Sequence, residues 1–246
     1  MRILNMKTLG VILGCILVVV SKISAQESTS ASSLDAKQTN LIAIAAQTAK
    51  GDLDGLKTSL NTGLTAGLTI SEIKEAIVHC YAYCGFPRSI RALQTFIVVL
   101  EERKAKGIND LPGVEASPVD ADNTKYERGK AVLEKLTGVK ETDPKKGYAA
   151  FAPIMEKFLK EHLFADIFER DVLTYKDREL LTVSVIASIG DAEPMLSSHL
   201  NICLNVGLSP AQLNEFLEVI KPIVGKKKSK AAQVVLAEVL NSKKKA

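Results

Sequence analysis

Beyond residue 33 the apolar positions recur every three to four residues, and strict alternation of the strand kind is nearly absent. The spacing predicts a helix from about Ala36 to Lys50, stopped at Gly51. A second runs from about Asp52 to Ala66, burying Leu53, Leu56, Leu60 and Leu64, and stops at Gly67. Thr69-Ile70-Ser71-Glu72 then reads as a capping box, with Leu68 placed to staple onto Ile73. Ser209-Pro210-Ala211-Gln212, Leu208 and Leu213 spell the same start again, with proline at the first helical position. Further helices are expected over about Thr124 to Leu136 and, beyond a Thr142-Asp143-Pro144 turn, as one amphipathic run over about Tyr148 to Phe168. The expected fold class is all-α.

The repeated cap belongs to a longer internal duplication. Residues 34–100 align with 173–240 at an offset of 139, becoming 140 after a slip near Gly51: Leu41 faces Leu180, Gly51 faces Gly190, Gly67-Leu68 faces Gly207-Leu208, and Glu75 faces Glu215. The copies keep different polar groups. The first has Tyr83-Cys84-Gly85-Phe86-Pro87 but Ser59 where the second has His199. The second has His199 and Arg178 but reads Ile223-Val224-Gly225-Lys226-Lys227 at the other motif. Such a split implies either one site needing both halves, or one live site and one dead one.

Composition changes the picture at the start of the chain. Arg2 and Lys7 precede an apolar run of 13 residues from Thr8 to Val20, and Ile23-Ser24-Ala25 ends in a small residue suited to cleavage. The run falls short of the roughly 20 residues of a membrane-spanning helix. Cys15 would suit lipidation, but Ile-Leu-Val-Val-Val follows it, so export with cleavage after Ala25 is the expectation, to the periplasm or beyond. The leader holds three basic residues of the chain's 32 and no acid, which leaves 29 against 28 acids. That balance excludes a typical nucleic-acid binder. The expected organisation is a leader over 1–25, a first repeat over 26–105, a linker over 106–123 and a second repeat over 124–246. The stretch from Asn109 to Asn123 carries two prolines, a glycine and four acids.

Several side chains are placed for chemistry. His199, one turn from Leu196 and Cys203, is a candidate proton carrier near neutral pH. Glu75, His79 and Tyr83 stand at i, i+4 and i+8, one stripe in which the carboxylate could hold and charge the imidazole and the phenol could donate. Arg170 and Arg178 are candidates to bind a substrate carboxylate, but at eight residues apart they converge only if the turn at Leu173-Thr174 breaks the helix. Cys80 and Cys84, at i and i+4, are the redox alternative, although β-carbons roughly 6 Å apart on a regular helix miss the 3.5–4.5 Å of a disulfide. Cys203 reads as core and His162 as solvated. No metal-binding spacing appears.

The ordered set Tyr126-Glu127-Arg128-Gly129, Arg170…Leu173…Arg178-Glu-Leu-Leu-Thr, His199…Gly207-Leu208…Glu215 and Glu75…Tyr83-x-Gly85-x-Pro87 resembles the carboxymuconolactone decarboxylase family, which also contains the alkyl-hydroperoxidase D proteins. The resemblance implies two tandem all-α repeats and self-association, with three two-repeat chains mimicking a hexamer of single units. It also implies a cofactor-free, decarboxylase-like enzyme acting on a small carboxylated or lactone-like substrate. The alternatives are a thiol peroxidase or a non-catalytic relative. The peroxidase branch places Cys-x-x-Cys before its histidine. Here Ala192 and Met195 hold those positions, and Asp52 and Gly55 hold them in the first repeat.

Overall fold

The computed structural model describes residues 33–119 and 122–244, so the leader and its cleavage site lie outside the described residues. The elements are α1 (Ala36–Lys50), α2 (Leu53–Thr65), α3 (Ile70–Ala105), α4 (Lys125–Thr137), α5 (Gly147–Phe151), α6 (Pro153–Phe158), a π-helical continuation (Leu159–Ile167), α7 (Tyr175–Ile189), α8 (Glu193–Asn205) and α9 (Pro210–Lys243). There is no strand among the described residues, and no helix among them is long and apolar enough to cross a membrane.

The expected caps are present. Thr69 with Glu72 and Ser209 with Gln212 both close capping boxes, and so do Asp35 with Gln38 and Thr174 with Asp177 at the starts of α1 and α7. The last two pairs are duplicates of each other. Gln38 Nε2 donates to Asp177 Oδ1 across 3.3 Å, so the equivalent cap residues of the two repeats touch. Each third helix breaks at a glycine, Gly85 at φ 81° and Gly225 at φ 82°, a backbone region that a β-carbon disfavours. The glycine of Tyr-x-Gly-x-Pro therefore survives in both copies even where the tyrosine and proline do not.

The repeats do not fold as separate cores. α1 and α7 form the central seam, and each third helix, α3 and α9, packs on its own repeat and also on the first helix of the other repeat. The first core takes in Leu173, Leu181 and Val185 from the second repeat; the other takes in Ile42 and Ala46 from the first. Every residue of α7 from Arg178 to Ser188 is buried, as expected of a helix enclosed on all sides.

A third core forms between α4 and the π-helical stretch, from Val132, Leu136, Leu163, Phe164, Ile167 and Phe168. It explains the Tyr-x-Arg-Gly run. Arg128 pairs with Glu169 at 3.0 Å. The Tyr126 hydroxyl donates to Glu156, and Lys160, itself buried, reaches Tyr126, Glu141 and Glu156. At Gly129 a β-carbon would lie 1.8 Å from the Lys160 carbonyl oxygen, so only glycine lets the two backbones meet. Gly129→Ala is expected to force this contact apart and cost about 1–3 kcal/mol as overpacking. A urea melt showing no loss would contradict the packing.

The single amphipathic helix expected over Tyr148 to Phe168 is instead three pieces. The chain breaks at Ala152 (φ −133°), ahead of Pro153, because proline's ring crowds the residue before it out of helical geometry. The turns then widen into a π-helix from Leu159.

Candidate active site

α3 carries Glu75, His79 and Tyr83 toward α7. The stripe is buried rather than solvated, with Glu75 and His79 closed off from solvent. The chain does break between Phe168 and Tyr175, and both arginines turn onto one carboxylate. Arg170 Nε donates to Glu75 at 2.9 Å, and Arg178 Nη2 donates to it at 2.7 Å. Arg178 also donates to the Arg170 carbonyl oxygen and, through Nη1, to His79 Nδ1 at 3.3 Å.

These contacts correct two sequence expectations. Glu75 does not charge His79: two guanidiniums win its carboxylate, since ion pairs outbid a neutral ring. His79 is held neutral, its pKa pushed well below the ordinary value by burial, then by the Arg178 charge and by His199. An arginine can only donate, so His79 Nδ1 accepts and Nε2–H donates to Thr182 Oγ1 at 2.9 Å. Arg178 is likewise no open receptor for a substrate carboxylate, because it is buried and committed to protein groups. Arg170, with 38% of its side chain exposed, has no partner for its two terminal nitrogens among the described residues.

Tyr83 lies two helical turns from Glu75, about 12 Å along the axis, and there the other repeat enters. Its ring is 5.5 Å from His79 on one side and meets His199 edge-on at 5.8 Å on the other. His199 stands on α8, and its Nδ1–H donates to Glu179 Oε2 at 2.8 Å. That fixes the ring and leaves Nε2 as the nitrogen with no partner among the described residues. The His199 side chain is 14% exposed, whereas Glu179 is sealed. Phe168 closes the near side, edge-on to His79 at 5.1 Å.

Three buried polar atoms here lack a hydrogen bond of normal geometry: Tyr83 Oη, which has the Thr182 hydroxyl nearby, Arg178 Nε and Glu179 Oε1. Buried polar groups are nearly always satisfied, so such a cluster marks a place where water or a ligand belongs. Burial, with the Glu179 charge next, raises the Tyr83 pKa far above its usual value, so the phenol keeps its proton and acts as a donor. Glu179 was not singled out from the sequence. Its signal lay in Arg178-Glu-Leu-Leu-Thr, where it follows the motif arginine and precedes Thr182 by three residues.

The pseudo-symmetric position carries different groups. Glu215 is retained and accepts from the Leu34 N–H at 2.7 Å. The partners equivalent to His79, Tyr83, Glu179 and His199 are Val219, Ile223, Asn40 and Ser59. Each half thus supplies groups to one site, and the counterpart position holds others.

The thiols are placed for packing. Cys80, Cys84 and Cys203 are free. Cys80 and Cys203 are sealed in the two cores, and burial pushes both thiols well above their ordinary pKa. The Cys84 thiol, also raised by burial, donates to the Cys80 carbonyl oxygen at 3.1 Å. His162 pairs with Asp166 at the surface. The reactive form of a cysteine is the thiolate, so a thiol reagent is expected to label Cys84 alone, and slowly, in the folded protein. Rapid labelling of two thiols would restore the redox reading.

Two helical repeats whose third helices each also pack on the other repeat, with a histidine of one facing a tyrosine stripe of the other, define a duplicated all-α unit with one composite candidate site. The chain belongs to the carboxymuconolactone decarboxylase family, whose model matches residues 23–96 and again 153–238. No curated protein matches the chain.

Proposed function

We propose that the chain is a cofactor-free enzyme that moves a proton on a small carboxylated or lactone-like substrate, with His199 as the proton carrier. The observation carrying this reading is the buried Glu179–His199 pair set against Tyr83, amid three polar atoms that lack a hydrogen bond of normal geometry. Glu179 orients the ring and steadies the imidazolium that forms when Nε2 takes a proton. The Tyr83 hydroxyl donates to the oxygen on which charge develops, a donor already in place before reaction. In a decarboxylation the carbon–carboxylate bond breaks, its electron pair passes into an enolate, carbon dioxide leaves, and the His199 imidazolium, protonated at Nε2 from solvent beforehand, gives that proton to carbon and returns to the neutral ring. Glu75 with its two arginines is the foundation that sets the stripe. Arg170, whose terminal nitrogens have no partner among the described residues, is the cation left to meet a carboxylate.

The chain is read as exported, its leader removed after Ala25 and its work done in the periplasm or outside the cell. It is also read as self-associating, with three two-repeat chains closing a ring. The test of the enzymatic reading is a panel of β-keto acids and lactones, scored for carbon dioxide release and for uptake of solvent deuterium. Turnover without added metal or cofactor supports it; a silent panel, with the protein folded and assembled, removes it.

A further inference from the structure

The outer face of α5 and α6 has the polarity of an interior. α5 buries no residue and α6 buries only Glu156. Phe151 is 92% exposed, and Tyr148, Ile154, Met155 and Phe158 are each more than half exposed. The face continues onto α3. His162, four residues past Phe158, lies 5.6 Å from the Tyr81 ring, and Tyr81 stacks on Phe86 at 4.4 Å. Phe86 is itself exposed, with Ile90 one turn further along.

The duplication supplies an internal control. The residues equivalent to Phe86 and Ile90 in the second repeat are Lys226 and Lys230, both exposed on the matching helix after the matching glycine break. The fold therefore accepts lysine at these positions, and the apolar choice is particular to the first repeat. Taking about 150–250 Å² for each large side chain, the face exposes on the order of 800 Å² of apolar surface. The largest patch on a typical monomer is about 300–600 Å², while one side of a standard protein interface is about 800 Å². The rim carries both signs, Lys146 and Lys157 against Asp143 and Glu161. An anionic bilayer would favour a basic rim; a protein surface accepts a mixed one.

We propose that a second copy of this chain covers this face, so that α5, α6 and the Phe86–Ile90 ridge form the surface through which copies meet. This deepens the self-association read above and is independent of the enzymatic reading. Sedimentation velocity on the mature chain at micromolar concentration is expected to show an oligomer. Phe151→Asp and Phe86→Lys are each expected to raise its dissociation constant at least about tenfold, as loss of an aromatic anchor does, with helical circular dichroism unchanged. A monomeric wild type overturns both self-association and this surface. A wild type that assembles, with both variants assembling as tightly, overturns the surface alone. The remaining arm is flotation with phosphatidylglycerol vesicles. Binding by a monomeric wild type that Phe151→Asp loses gives the face to a membrane instead, and overturns the proposal.

Discussion

Replacing His199 with glutamine is expected to lower turnover by about 100-fold or more, the range of a general acid–base group, and to leave the fold intact. Glutamine reaches a similar distance and its amide can still donate to Glu179, so the buried carboxyl oxygen keeps a partner. What is lost is a nitrogen that can take up and return a proton. The side chain lies at the edge of the core, 14% exposed, so little packing goes with it. If His199 were only structural, the same change would lower the melting temperature and leave turnover per folded molecule nearly as it was. Measuring both quantities on one preparation separates the cases. Glu179→Gln should follow His199→Gln in kinetics, because an amide in place of the carboxylate cannot steady an imidazolium.

Arg178→Met is expected to be the most damaging change to stability at the site, about 3–5 kcal/mol, the usual cost of removing one partner from a buried ion pair. Three groups depend on this guanidinium: Glu75, the Arg170 carbonyl oxygen and His79 Nδ1. Methionine fills much of the volume and satisfies none of them. Arg170→Gln should cost less, about 1–2 kcal/mol, since Glu75 keeps Arg178 and the lost side chain is partly in solvent already. Urea melts of both variants check the order. Equal losses would mean that the two arginines share Glu75 evenly, against the burial seen here.

The helical skeleton is legible in the sequence because caps and glycines act locally. Thr69 with Glu72 and Ser209 with Gln212 announce the third helices, and Gly85 and Gly225 keep the break in both copies. His199, Glu75 and Tyr83 are legible through their motif positions. That they meet was open, since nothing local says that α3 crosses onto the other repeat's α7. The stripe spacing pointed to a Glu75–His79 pair, but two arginines from a distant turn decide that carboxylate. Glu179 was hidden by its setting: a helix buried all round has no polar face against which a buried acid stands out. The break at Ala152 has a local sign in Pro153. The widening from Leu159 has none, because a wider helical turn leaves no mark in an apolar spacing of three to four residues.

The central claim is that one site is assembled from both repeats, with Tyr83 and His199 acting on the same reacting group. The most direct test is a double-mutant cycle on turnover with Tyr83→Phe, His199→Gln and the pair, each scored per folded molecule. The site described here predicts strong coupling: once His199 is gone, removing the Tyr83 hydroxyl should cost far less than it does in the wild type. Fold losses that simply multiply would show two independent positions, and would contradict a composite site.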